Sequence, residues 1–197
     1  LSKKGRPRSP VTQKSILDAS YGLLLENGFD DITIEKIAER AGVSKATIYK
    51  WWPNKAAVVM DGFFSAAADR LPIPDTGSVY EDVLIHATNL ARFMVSPDGK
   101  SIKELIGQGQ LDSTLKEAIQ THYIQPRRSE AMQLLERGVR SGELNAGLNL
   151  ALGVDLLYGP MFYRMLVTSG SLDDEGVKDI VMTAFNGLKA GVDKPSV

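Results

Sequence analysis

Cysteine does not occur in this chain. That excludes disulfides, thiolate metal sites and a cysteine nucleophile, and it suits a reducing, cytoplasmic location. Histidine is nearly as scarce. His86 and His122 are the only two, and without a spaced carboxylate pair they make no convincing metal site. Each is expected to be a hydrogen-bonded helix residue. No apolar run approaches the roughly 20 residues that span a bilayer, so no membrane partner is expected. Leu1 to Pro10 is basic with no apolar core after it, which argues against a signal peptide. A glycine-rich phosphate loop, a Ser/His/Asp spacing and a metal cluster are also missing. The sequence therefore points away from an enzyme and calls for no cofactor.

What is present suits an ordinary globular protein of one or two domains. The chain has 197 residues, 43% hydrophobic and 24% charged, enough to bury a real core. Its net charge of −1 is unevenly spread. Residues 1–55 hold ten Lys/Arg against six Asp/Glu, a net of +4, and residues 56–197 hold thirteen against eighteen, a net of −5. A basic head on an acidic body suggests a polyanionic partner for the head.

Apolar residues recur at helical spacing almost throughout, with no alternating strand pattern of useful length and no repeat. "LSKKGRPRSP", residues 1–10, opens a mobile basic arm that runs over residues 1–11. A helix starts at about Thr12, with Ile16, Ala19, Leu23 and Leu24 inward, and Gly28 ends it. Thr33 caps a short second helix and Gly42 breaks it. Ser44 caps a third through about Trp51, which Pro53 stops, and Asn54 caps a fourth to about Arg70. "LPIPDTGS" is a linker over residues 71–78. Further helices are expected over 79–96, ended by Pro97-Asp98-Gly99, and over 101–110. A long one over 113–141 should bend at Pro126, and two more follow at about 149–169 and 173–190. The expected fold is all-α: three small helices over 12–55, joined to a larger C-terminal helical bundle over 56–197.

The chemistry concentrates in residues 33–55. Two short helices meet at "AGVS", the arrangement of a helix-turn-helix whose second helix enters the major groove. Ala38 is small where the helices approach, and Val43 and Ile48 are apolar where the pair rests on the first helix. Lys45, Ala46, Thr47, Tyr49 and Lys50 are left outward. Lys45 and Lys55 each sit in the first turn of a helix, where a cation is misplaced by roughly 0.3–1 kcal/mol, and neither turn carries a compensating acid. A phosphate at each helix start would reverse that sign; simple solvation of both lysines is the plain alternative. Tyr49 offers a hydroxyl to phosphate and a ring to a sugar or thymine methyl, or else packs half-buried. Trp52 is expected in the core. Trp51 either flanks the backbone groove or covers the turn. Arg6 and Arg8, on either side of Pro7, either lie in a minor groove or belong to a solubilising tail.

"GFDDITIEKIAERAGVSKATIYKWWPNK", within residues 16–59, resembles the reading head of the tetracycline-repressor (TetR) family. "DLLYGPMFYRMLVTSGSLDD", residues 155–174, resembles the end of one type of TetR-like C-terminal domain. The resemblance implies a homodimer that binds double-stranded operator DNA, most often as a repressor released by a small ligand. A ligand-independent regulator or an activator is the alternative. Carried across residue by residue, base reading falls on Lys45, Ala46, Thr47 and Lys50, with Trp51 beside them. Phosphate contact falls on Thr33, Ser44, Tyr49 and Lys55. Many relatives have His or Phe where this chain has Lys50, Trp51 and Trp52, so the operator sequence stays open.

Two further expectations concern the bundle. The last two helices are apolar on more than one side, with Leu152, Leu156, Leu157, Met161, Phe162 and Met165 on one and Val177, Ile180, Val181, Ala184, Phe185 and Leu188 on the other. They are expected to form the dimer contact. The family implies an effector held inside the bundle. Candidates on the fourth and fifth helices are Phe64, His86, Leu90, Phe93 and Met94. Gln110 and Tyr123 follow in the middle of the chain, and Tyr158, Met161 and Phe162 on the penultimate helix. Arg164 is expected to form a salt bridge within the bundle.

Overall fold

A computed structural model describes residues 9–68 and 71–189. Among them all regular structure is helical, apart from one isolated antiparallel bridge between Leu144 and Lys189. Arg6 and Arg8 lie outside the described residues. The chain divides into two compact units. One takes the chain through the fourth helix together with residues 104–123. The other takes residues 71–103 and the described residues from Ile124 onward. The division therefore does not fall at residue 55: the fourth helix and a later excursion of chain belong with the head.

In the first unit, α1 spans Pro10–Asn27, two residues earlier than Thr12 suggested. Ser9 is the cap, its hydroxyl accepting from the Thr12 amide, and Pro10 opens the first turn, where its missing N–H costs nothing. α2 spans Ile34–Ala41 and α3 Lys45–Tyr49, with Gly42 in the left-handed region at φ +66. α4 spans Lys55–Ala68, and the Asn54 carboxamide oxygen accepts from the Ala57 amide at 2.9 Å. Ile16, Leu23 and Leu24 of α1, Ile37 of α2, Ile48 of α3 and Val58, Val59 and Phe63 of α4 form the buried core. α1 and α4 cross closely at Gly62, where a Cβ would lie 2.8 Å from the Leu17 carbonyl oxygen. Buried Ser20 ties the crossing by donating to the carbonyls of Leu17 at 2.8 Å and Val58 at 3.2 Å.

α6 spans Pro97–Gly109, so Pro97-Asp98-Gly99 opens a helix that the sequence pattern placed at 101. Ser96 supplies the reason: its hydroxyl accepts from the Gly99 amide at 3.3 Å, and proline suits a first turn. α7, Ser113–Ile119, is capped by Asp112 and packs on α4. The single helix expected over 113–141 is three pieces: α7, a π-helical turn Gln120–Ile124, and α8, Gln125–Ser141. Pro126 cannot donate back to His122, and the wider turn before it absorbs the lost bond without ending the helix.

The second unit is built from α5 (Val79–Met94), α8, α9 (Leu150–Tyr163) and α10 (Asp174–Leu188). α5 packs on α8 and α10, and α9 on α8 and α10. The buried carboxylate of Asp82 accepts from Arg137 Nη2 at 3.0 Å and from the Thr76 amide at 2.7 Å, which ties the linker to the bundle. α9 holds Pro160 and runs into a second π-helical segment, Arg164–Thr168. Together, Leu150–Thr168 is long and apolar enough to cross a bilayer by length and composition, against the expectation that nothing approaches this. The segment carries Asp155, paired with Arg128 of α8, and Arg164. Arg164 makes no salt bridge among the described residues. It donates to the carbonyls of Ser171 at 2.8 Å and Gly176 at 3.4 Å, holding the turn into α10.

Candidate DNA-reading surface

The surface begins with two caps. Thr33 Oγ1 accepts from the Lys36 amide at 3.2 Å and starts α2, and Ser44 Oγ accepts from the Thr47 amide at 3.2 Å and starts α3. Between them the Gly42 amide reaches back to the carbonyls of Ala38 and Glu39, the left-handed closure that a side chain disfavours. Ile48, fully buried, pins α3 to the core and decides which of its faces is outward. Ser44, Lys45, Ala46, Tyr49 and Lys50 are exposed, Thr47 is half-buried, and Tyr49 is 55% exposed. Packing of Tyr49 against the first helix is therefore the weaker description. Lys50 is in no ion pair among the described residues.

The tryptophans divide their roles. Trp52 is 3% exposed, and its indole Nε1–H donates to Asp61 Oδ2 at 2.5 Å. Trp51 is half-buried, edge-on to Trp52 with ring centroids 5.4 Å apart. Asp61 has a second partner: His122 Nδ1 lies 2.6 Å from its Oδ1. The π-helical turn that carries His122 also sets Tyr123 edge-on to Phe63 of α4 at 5.3 Å. The reading helix is thus held through α4 to the turn Gln120–Ile124 by one carboxylate. Sequence reasoning passed over Asp61, although a lone acid in the apolar run from Ala56 to Phe63 is the signal that could have found it.

The lysines stand differently from the expectation. Lys45 does have a compensating acid, supplied by the preceding helix: Glu35 Oε1 lies 2.8 Å from its Nζ. Their hydrogen bond holds the lysine above its ordinary pKa and the carboxyl below its own. Both groups are exposed, so the pair is open to exchange with a stronger anion. Lys55 is turned inward. Its Nζ donates to the carbonyls of Phe29 at 2.9 Å and Asp30 at 3.5 Å and lies 4.2 Å from the centre of the Phe29 ring. That corrects the picture of a free phosphate clamp, because its ammonium is already engaged with the carbonyls that follow α1. Arg40 and Glu26 form a two-pronged pair, 2.6 Å at each prong, that locks α2 to α1.

The effector candidates separate between the two units. Phe64 (half-buried), Gln110 and Tyr123 (buried) belong to the first. Gln110 is exposed, its amide donating to the Ile106 carbonyl one turn back at 3.3 Å, so it is not the interior residue expected. His86, Leu90, Phe93, Met94, Tyr158 and Met161 are buried in the second unit, and Phe162 is half-buried there. Both histidines are hydrogen-bonded helix residues, His86 to Tyr158 and His122 to Asp61.

Comparison with known proteins bears on the whole chain. The model for bacterial regulatory proteins of the tetR family matches residues 16–60, and that for the tetracyclin repressor-like C-terminal domain matches residues 73–184. The HTH-type transcriptional regulator YdeS of Bacillus subtilis is 59% identical over 189 residues, 96% of each chain. The crystal structure of the TetR family transcription regulator SCO0332 superposes with a TM-score of 0.81 at 35% identity, over 90% of this chain and 98% of that one. FadR from Bacillus subtilis, solved in complex with stearoyl-CoA, shares the fold with a TM-score of 0.61 at 20% identity, over 88% and 98%. A capped, outward-facing second helix on an all-helical chain, matched in both halves, makes this protein a member of the TetR family of transcriptional regulators.

Proposed function

We propose that the chain acts as a homodimeric operator-binding repressor, released when a small apolar ligand enters its C-terminal bundle. The observation that carries the DNA reading is the exposed row Ser44, Lys45, Ala46, Tyr49 and Lys50 on a helix whose opposite face is pinned by buried Ile48. Lys45, Ala46, Thr47 and Lys50 meet base edges, with Trp51 beside them, and Thr33, Ser44 and Tyr49 meet phosphates. Lys55 acts chiefly by holding the end of α1. Selection of bound duplexes from a random pool tests this reading. A shared motif is expected, in two half-sites about 34–36 Å or one helical turn apart. Recovery of no duplex at low salt would overturn it. Three phosphate contacts per subunit, about six per dimer, give a log–log salt slope of about −5.

The dimer contact is supported by apolar side chains left uncovered on α9, α10 and the segment after α9. Leu152 is 54% exposed, Leu156 48% and Met182 43%, with Tyr163, Leu166 and Val167 beside them in the chain. A shallow groove between α9 and α10, with Leu156, Pro160, Ile180, Ala184 and Gly187 in its lining and Arg164 and Asp179 also bordering it, offers small residues for the close approach of a second copy. Light scattering at micromolar concentration should give twice the 21.5 kDa chain mass.

Release needs a ligand that prefers the conformer with mis-spaced heads. A coupling of about 1–3 kcal/mol changes operator affinity roughly 5- to 150-fold. α4 is the lever, since Asp61 ties Trp52 on one side and His122 on the other. FadR, solved with stearoyl-CoA, is a precedent for a ligand with a long acyl chain on this fold.

A further inference from the structure

Buried polar atoms in folded proteins almost always have a partner, so an orphan deserves a reason. Among the described residues of the second unit, His86 supplies one. Its side chain is 4% exposed and its Nδ1 lies 2.7 Å from the Tyr158 hydroxyl, the rings edge-on at 90° with centroids 5.5 Å apart. Its Nε2 is buried and has no hydrogen-bond partner among the described residues.

The proton positions follow from the pair. Burial raises the pKa of Tyr158, so its phenol keeps its proton. Burial, with a smaller contribution from the charge of Arg127, lowers that of His86 to about 4, so the imidazole is neutral near pH 7. A neutral imidazole has one N–H. If it sat on Nδ1, the Tyr158 hydroxyl proton would have no acceptor and Nε2 would be an idle lone pair, wasting both ends. With Tyr158 donating to Nδ1, the N–H sits on Nε2 and one donor is left over.

Resting on the reading that this bundle holds an effector, we propose that His86 Nε2–H is its polar anchor and that the ligand is an apolar molecule bearing a carbonyl or carboxylate oxygen. The flanking residues suit the apolar part. Leu90 and Phe93 follow His86 on the same stripe of α5, and Met161 follows Tyr158 by one turn of α9, all buried. The positive charge of Arg127 is near enough to disfavour protonation of His86, and the same field favours an electron-rich oxygen there. Tyr158 is the positioning residue: by occupying Nδ1 it fixes which ring nitrogen presents a proton.

The test uses the full-length protein and four probes sharing a phenylbutyl body: 4-phenyl-2-butanone, 4-phenylbutanoate, butylbenzene and 4-phenylbutylamine. The ketone, the carboxylate or both should bind at least about ten-fold tighter than butylbenzene, since the hydrocarbon leaves the donor unpaired. Ketone against carboxylate then tells a neutral from an anionic acceptor. His86→Phe, which keeps a ring of similar size, should bring the acceptor preference within about two-fold. Tyr158→Phe frees the tautomer and should erode the same preference while leaving butylbenzene binding in place. Side-chain nitrogen NMR of His86 should show the proton on Nε2 and a shift of that signal on saturation with the preferred probe. The same rank order in wild type and His86→Phe overturns the anchor, and so does an Nε2 signal that no probe moves, the mark of a bound water only. Acceptor probes that bind both proteins equally and still release the operator would leave a ligand-responsive regulator standing while removing His86. Operator release by nothing, with the acceptor probes bound at His86, would reject the effector reading and keep the site.

Discussion

The two units of this protein deploy their polar groups in opposite ways. In the first, the groups singled out for function stand outside: Lys45, Tyr49 and Lys50 are exposed, and the charged pairs Lys45–Glu35 and Arg40–Glu26 lie at the surface. In the second they lie within: Asp82, His86 and Tyr158 are buried. Exposed charges are cheap to hold and exchange readily with another anion, which suits a surface that meets DNA. Buried polar groups are expensive unless partnered, so each one left in an interior constrains what else enters. Substitutions in the first unit should therefore change affinity more than stability, unless they touch its core. Those in the second should change stability and ligand preference together.

The largest departure is expected where the reading head rests on its core. Trp52→Ala empties a buried indole site and should cost about 3–5 kcal/mol, read as a large drop in the melting temperature of the head. Asp61→Ala keeps the indole but strands its N–H, and about 1–3 kcal/mol is expected, with operator affinity falling although no DNA contact is lost. An unchanged melting temperature in both variants would mean the platform is elsewhere.

Next comes the interior of the second unit. Burial lowers the His86 pKa from 6.5 to about 4. The unfolded chain takes up a proton as the pH falls below 6.5, while the folded chain resists down to about 4. Stability is therefore unaffected by this group at higher pH and is lost on acidification across that window, by up to about 3 kcal/mol. Urea titrations at a series of pH values should show the slope, and His86→Phe should flatten it.

Smaller effects distinguish Lys50 from Lys55. Lys50→Ala should cost about 1–3 kcal/mol on the selected operator and little on random DNA. Equal losses on both would remove it from the reading set. Lys55→Ala should weaken all DNA uniformly and also lower the melting temperature, because the carbonyls of Phe29 and Asp30 lose the lysine's hydrogen bonds and the Phe29 ring its cation. The smallest effect is expected at Glu35. Glu35→Gln frees Lys45 from a competing carboxylate and should tighten DNA binding by at most about five-fold, measurable by fluorescence anisotropy at low salt.

Much of the head could be read from the chain because its determinants are local. Thr33, Ser44 and Asn54 cap helices two or three residues away, and Gly42 closes a turn within one helix length. Where the reading slipped, the cause was a partner distant in sequence or a local device that competes with pattern. Ser96 turned Pro97 from a terminator into a first-turn residue, and the π-helical turn before Pro126 kept a helix running that expected only a bend. The pairs of Lys45 with Glu35, ten residues back, and of Lys55 with Phe29 and Asp30 lie beyond any helical period.

The sequence by itself determined an all-helical chain, the turn at Gly42 and the face of the third helix that looks outward, since caps, glycines and apolar spacing act within a few residues. Only the tertiary structure decided what the charged and polar side chains do with their hydrogen bonds. It gave Lys55 to carbonyls after α1, Asp61 to both Trp52 and His122, and His86 to Tyr158 with one nitrogen left over. The reason is geometric: a hydrogen bond needs two atoms within about 3 Å, and packing sets that distance between residues far apart in the chain.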